Sequence, residues 1–226
     1  MTDDDRAPTG IEEKAIRIGM DYIYTNPVTR FVTVWGLKRC ADLRVRKNRV
    51  LDLGCGRGDL FPFVARRPFS EYIGLDQSEG FLSLAERRFP AATWIRGDAF
   101  NLPFEDGSVD SILSFSVLEH LSPLESALDE MLRIMANDGE FIFGIPTEGL
   151  AFRLGRRLTT KPYIEKRVDV DYMDLVAKEH INDCRSILAA VRSRFALSRL
   201  HGIPFGVPLR HANVFLIGRC TPRGEG

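Results

Sequence analysis

The residues best placed to do chemistry lie in one run, Val50-Leu51-Asp52-Leu53-Gly54-Cys55-Gly56-Arg57-Gly58. An apolar stretch leads into three glycines at alternate positions. Such a turn exposes backbone N–H groups and lets a ligand approach the main chain closely. Dinucleotide-binding turns use the spacing G-x-G-x-x-G, whereas here it is G-x-G-x-G. Asp52 separates the two chemistries. A carboxylate at the end of that strand would repel a pyrophosphate, at a cost on the order of a few kcal/mol for an effective dielectric near 20. The same carboxylate would attract an ammonium group, directly or through water. A ligand with an amino acid at one end and a nucleoside at the other fits that polarity. A nicotinamide-dependent oxidoreductase is the alternative that Asp52 and the glycine spacing disfavour.

Two further acids continue the pattern. Asp76 closes the run Tyr72-Ile73-Gly74-Leu75-Asp76, and an acid at that place can accept both hydrogen bonds of a ribose diol. Asp98, in Gly97-Asp98-Ala99, can accept from an adenine amino group, while the Ala99 N–H can face a ring nitrogen. The ligand would then run across the switch point of a sheet.

The elements that must position these residues follow from the grammar of the chain. Residues 50–53 and 72–76 are short apolar runs ending at glycine or acid, the pattern of buried strands. Residues 93–95, 109–115 and 140–145 continue the series. The spacing predicts helices over 59–67, from a Ser78 cap to Arg88, over 122–135, and from a cap at Asn182 or Asp183 to about Phe195. Strands alternating with helices imply a parallel sheet covered on both faces. Two last strands, around 197–201 and 213–220, are joined too closely for a crossover helix and suit an antiparallel hairpin. Residues 11–47 carry two helical stretches parted by Asn26-Pro27, behind a polar tail over 1–10. The expected organisation is a tail and helical lid over 1–48 and one α/β domain over 49–226. Within that domain an irregular insertion spans 146–181, and a last helix and hairpin span 182–226.

With these motifs in order, the sequence resembles the class I S-adenosylmethionine-dependent methyltransferases of the small-molecule type. The glycine run, Ile73-Gly74-Leu75-Asp76, and Gly97-Asp98-Ala99 with Leu102-Pro103-Phe104-Glu105-Asp106-Gly107-Ser108-Val109-Asp110 match successive motifs of that family, as does Val117-Leu118-Glu119-His120-Leu121. The resemblance is strong over about 49–146 and only in outline over 180–220. It implies a Rossmann-like, doubly wound sheet of seven strands with the last antiparallel, and S-adenosyl-L-methionine as cofactor. Gly54, Cys55, Gly56 and Gly58 would line its methionine moiety, with Asp52 near the ammonium. Asp76 would hold the ribose, Asp98 and Ala99 the adenine with Gln77 packed on it, and Phe115 and Ser116 would flank the sulfonium.

The acceptor is less legible. His120 follows the fourth strand and could take a proton from a hydroxyl; alternatively it fixes the start of the next helix. Glu119 is the weaker candidate. His180 heads the last helix, and Tyr22, Tyr24, Tyr163 and Tyr172 fall in the variable regions expected to close over the acceptor. No His and carboxylate set has metal-ligand spacing, so metal-free transfer is the expectation. The expected product is a methylated small molecule, through a hydroxyl of a sugar, a lipid or another metabolite. A module that binds the cofactor without catalysis is the alternative.

Composition narrows the partners. Lys plus Arg and Asp plus Glu are 31 each, for a net charge of zero, which argues against a chain built to grip nucleic acid. Val28 to Leu37 with Trp35, ahead of Lys38, Arg39, Arg44, Arg46, Lys47 and Arg49, could lie on a membrane surface; a lid helix followed by a solvated charged face is preferred. The acidic start Met1-Thr2-Asp3-Asp4-Asp5 lacks the apolar core of a secretory signal. Four cysteines without C-x-x-C spacing fit reduced thiols in a cytoplasmic protein.

Overall fold

In the computed structural model, residues 10–45 and 48–223 are described. The acidic start, the tail up to residue 9, and Arg46 and Lys47 lie outside them. Seven strands form one sheet in the order β3-β2-β1-β4-β5-β7-β6. They are β1 (Arg49–Leu53), β2 (Glu71–Asp76), β3 (Thr93–Arg96), β4 (Val109–Phe115), β5 (Met135–Pro146), β6 (Phe195–Ile203) and β7 (Phe215–Pro222). The first five are parallel, and β7 runs antiparallel to both β5 and β6. This is the doubly wound seven-stranded arrangement with the antiparallel closing hairpin expected from the short last connection.

Alternation along the strands divides the core in two. Leu51, Leu53, Ile112, Phe141 and Phe143 face α5 (Leu124–Ile134) and α9 (Cys184–Arg194). Val50, Leu113, Ile142 and Ile217 face the other way, onto Leu37, Cys40 and Ala41 of α2 (Pro27–Leu43). Both faces of β1 are therefore buried, which is why it reads as an unbroken apolar run. α2 belongs to this second core, so the expected lid segment is continuous with the sheet packing. Its partner α1 (Gly10–Thr25) precedes it across Asn26, whose side chain caps α2 by accepting from the Val28 and Thr29 N–H groups.

Two expectations differ from the fold. The helix over 59–67 is a single turn, α3 (Phe61–Val64). Around it Phe63 N–H donates to Leu60 and Arg67 N–H to Val64, three-residue closures that tighten the chain into turns ahead of Pro68. The region 146–181 is helical, with α6 (Leu150–Leu158), α7 (Thr160–Glu165) and α8 (Tyr172–Glu179). Helices this short are marginal alone. α7 and α8 pack with α1 through Ala15, Ile164, Val168, Tyr172 and Leu175, so their order comes from tertiary contact and leaves little local pattern. α4 (Glu79–Arg88) is capped by Ser78, as expected. Among the described residues no helix is long and apolar enough to cross a membrane.

β1 lies between β2 and β4, so the winding direction reverses there. In open α/β sheets the crevice beyond the strand ends at such a point receives ligands.

Candidate functional site

A cavity of about 590 Å³ opens at that reversal point, within the range of small-molecule sites. One end lies over the strand ends; the other is walled by α1, α6, α8 and the turn after β4.

The glycine turn forms the floor. Gly54, Gly56 and Gly58 have φ of 70°, 51° and 74°, a region costly for side-chain-bearing residues. A Cβ on Gly54 would come within 2.3 Å of Val117, and one on Gly58 within 2.7 Å of Trp94. Gly56 alone of the three has nothing within 4 Å of that position, so its missing side chain is open space on the cavity side. Gly54, Cys55 and Gly56 line the cavity; Gly58 stands outside the lining and serves packing.

Asp76 joins two loops. One carboxylate oxygen accepts from Gly56 N–H at 2.8 Å and the other from Ser78 N–H at 2.8 Å. Each oxygen keeps a further lone pair, and the side chain lines the cavity beside Gln77. Asp52 sits deeper, 2% exposed, and accepts a 2.5 Å hydrogen bond from the Tyr72 hydroxyl. Burial pushes its pKa up to about 7, with the Asp76 charge adding to the rise and Tyr72 opposing it. Tyr72 is a partner that the sequence reading did not single out, because a tyrosine at the second position of a strand reads as core.

Gly97 and Ala99 reach the cavity, but Asp98 is exposed outside it, its carboxylate accepting from Phe100 N–H at 3.1 Å. Phe115 and Ser116 line the middle of the cavity, as the end of β4 requires. Ser116 has φ 57°. The other described non-glycine residue with positive φ is Glu148, at 51°. Such backbone strain tends to gather where a site needs it.

Glu148 belongs to the far end. Its carboxylate meets His180 Nδ1 at 2.7 Å. His180 and His120 stand edge to face with ring centres 5.1 Å apart, and His120 Nδ1 lies 2.7 Å from the Glu179 carbonyl. Glu119 is 1% exposed, and its Oε2 has no hydrogen-bond partner. Burial drives the Glu119 pKa up to about 8. Desolvation, then the neighbouring His180, holds His120 down to about 4, so the imidazole is neutral near pH 7. Phe152, Arg156 and Tyr172 complete the wall. Arg156 lies over the Phe152 ring and donates to the Tyr172 hydroxyl at 2.9 Å. Glu148 and Arg156 carried no signal in the sequence, since neither lies in a motif. Tyr24 also lines the cavity, under the Arg57 guanidinium.

An open α/β sheet whose reversal point holds a glycine turn and carboxylates from two adjacent strands is of the Rossmann-like class. Comparison with known proteins makes the class specific: residues 51–143 match the model of a methyltransferase domain. These matches agree with the resemblance to class I S-adenosylmethionine-dependent methyltransferases carried by the motifs, and relatives that match are themselves named as methyltransferases. Over 131 residues it is 35% identical to a demethylmenaquinone methyltransferase of Thermotoga maritima, covering 56% of this chain and 57% of the relative. Over 94 residues it is 37% identical to a bifunctional biotin-biosynthesis protein of Cellvibrio japonicus, covering 41% of this chain and 18% of that protein. The chain spans about half the length of the curated relatives it matches. The fold matches the crystal structure of a Pyrococcus horikoshii protein with a TM-score of 0.70 at 19% identity, covering 93% of this chain and 99% of that one.

Proposed function

We propose that the chain transfers a methyl group from S-adenosylmethionine to a small-molecule acceptor, through a hydroxyl of a sugar, lipid or other metabolite. The observation that carries this reading is the continuity of one cavity from the glycine turn and Asp76 to the neutral His120. The residues present suit the cofactor. Open space before Gly56 admits close approach to the backbone, Asp52 offers a buried anion for an ammonium, and Asp76 retains lone pairs for a diol. When bound, S-adenosylmethionine supplies an activated methyl group on a sulfonium.

The chain's own residues then have three tasks. The glycine turn, Asp52 and Asp76 orient the nucleoside and amino acid. Phe115 and Ser116 border the place where the reacting groups meet, and Phe152 and Tyr172 keep water from the acceptor. His120, deprotonated near pH 7, accepts the acceptor hydroxyl's proton as the new bond forms. One relative is named a demethylmenaquinone methyltransferase, and the wall of Phe152, Tyr172 and Val176 supports a partly apolar acceptor.

Calorimetry with S-adenosylhomocysteine tests the cofactor half. Stoichiometric binding is expected, and Asp76→Ala should weaken it by roughly 1–3 kcal/mol, the scale of a lost charged hydrogen bond. Cell extract incubated with isotopically labelled S-adenosylmethionine tests the acceptor half: a labelled small molecule is expected. Absence of binding, or label found only in protein or nucleic acid, overturns the reading.

A further inference from the structure

We propose that Glu119, His120 and His180 form a binding site for one divalent metal ion of the zinc type at the acceptor end of the cavity. Their donor atoms all lie within 4.8 Å of one another, and His120 Nε2 is 3.9 Å from a Glu119 carboxylate oxygen. Donors around a tetrahedral zinc at bonds of about 2.1 Å stand roughly 3.4 Å apart. Spacings of up to 4.8 Å exceed that, so binding requires the three side chains to draw together. Two imidazoles and one carboxylate, with a further position left open, is a donor set that zinc and its first-row neighbours take.

The hydrogen bonds behind the rings point the same way. A carbonyl can only accept, so His120 Nδ1 must donate to Glu179, and the lone pair of the neutral ring is left on Nε2. His180 Nδ1 faces the Glu148 carboxylate in the same manner, which again leaves Nε2. Metal-ligating histidines regularly have the other ring nitrogen held by a carbonyl or carboxylate, and here one ring has each. Glu119 supplies the second, independent sign. Its Oε2 is buried without any partner, and the residue lines the cavity. An unpaired buried carboxylate oxygen costs free energy that a cation would recover.

Fold and charge support the same conclusion. Asn182 fastens the segment bearing His180 to the turn bearing Glu119 and His120, donating its side-chain amide to the Leu118 and Leu121 carbonyls and its N–H to the Glu119 carbonyl. His180 also closes the carboxyl end of α8, where helix carbonyls favour a cation. The Arg156 guanidinium acts on Glu119 and His120 from nearby and opposes a cation; the Glu148 carboxylate counters that guanidinium, and a bound ion would have to displace the proton that burial holds on Glu119. No metal-ligand spacing is visible along the chain because His180 arrives from a distant segment. If methyl transfer is the chain's activity, an ion bound here would take the Nε2 lone pair and so replace His120 as the base, activating the acceptor oxygen at the open position, and this last clause alone rests on that reading.

The test is binding of the metal itself. The full chain, stripped with chelator and dialysed, is titrated with zinc and separately with cobalt, whose visible absorption reports the ligands. One ion per chain is expected, with an intense cobalt spectrum. His180→Ala and Glu119→Gln should each weaken binding at least about tenfold, and Glu148→Ala at least about tenfold through the ring it holds. His211→Ala should change nothing. S-adenosylhomocysteine binding serves as the fold check on each variant, and its failure in the wild type would count against the cofactor reading without touching the metal titration. Circular dichroism and thermal melting keep the metal result interpretable in that case. No saturable binding by the folded wild type, or binding unchanged in both His180→Ala and Glu119→Gln, overturns the site.

Discussion

The two ends of the cavity are built in opposite ways. The nucleoside end comes from three successive strand ends, and its shape is set by backbone: Gly54, Cys55 and Gly56 are tied to Leu75 and Asp76 by main-chain N–H groups at 2.8–3.0 Å. The acceptor end is assembled from α1, the turn after β4, α6 and α8, and its shape is set by side chains reaching across large sequence distances. A backbone-built end holds one ligand class across a family. A side-chain-built end is free to diverge, which fits a chain whose family match covers 51–143 and stops before α6.

The contrast is tested most severely by Gly56→Val. A β-branched side chain at φ 51° fills the open space before the turn and strains the backbone. S-adenosylhomocysteine affinity should fall by about a thousandfold or more, the ~4 kcal/mol that combined occlusion and strain can impose. Calorimetry reads this. Affinity within tenfold of wild type would move the cofactor off the glycine turn.

His120→Ala probes the opposite end. Turnover of the labelled acceptor should drop by about a hundredfold, the lower range for loss of a general base, with S-adenosylhomocysteine affinity unchanged within about twofold. A parallel loss of both would mean the two ends are not separable. The metal titration distinguishes a base from a ligand, since only a ligand loss lowers ion affinity.

What the sequence revealed follows the same division. β1, β2 and β4 were legible because each is largely buried on both faces and so carries consecutive apolar residues, Val50-Leu51, Tyr72-Ile73 and Ile112-Leu113. The closing hairpin was legible because the Pro-containing connection, 204–214 between β6 and β7, is too short for a helical crossover. The helix over 59–67 was over-read: its apolar residues pack through a single turn and a series of tight closures. α6 to α8 were not visible, since short helices that depend on α1 leave no strong period of their own. The pairing of His120 with His180, and of Asp52 with Tyr72, joins positions on different elements, and no local pattern encodes such contacts.

Asp52 gives a subtler test of the backbone-built end. Burial keeps its carboxyl protonated up to about pH 7 in the free chain, while a neighbouring ammonium favours the charged form. Binding below pH 7 must therefore release a proton. S-adenosylhomocysteine affinity should be flat just above pH 7 and fall by up to about tenfold per pH unit below it. Asp52→Asn should abolish that slope. The sign for stability is the reverse. Between about pH 4 and 7 the folded chain holds the Asp52 proton that the unfolded chain has lost, so the contribution of this group to stability declines as pH rises. Asp52→Asn keeps an acceptor for Tyr72 and no charge, so the ligand-free variant should melt higher at pH 8, by about 5 °C, with the gain vanishing below pH 4.

The smallest expected effect sharpens the comparison most finely. Asp98 was expected at the adenine, yet it is exposed outside the cavity while its neighbours Gly97 and Ala99 line it. Its carboxylate already accepts from Phe100 N–H, holding the turn that follows β3. If the nucleoside end is preformed, as its backbone bonding argues, Asp98→Ala costs only that exposed turn contact. Affinity for S-adenosylhomocysteine should then change by less than about threefold, on the scale of a solvent-exposed hydrogen bond. A loss beyond tenfold would require the 97–101 turn to swing Asp98 onto the base when ligand arrives. The adenine side would then share the adaptability that otherwise distinguishes the acceptor end.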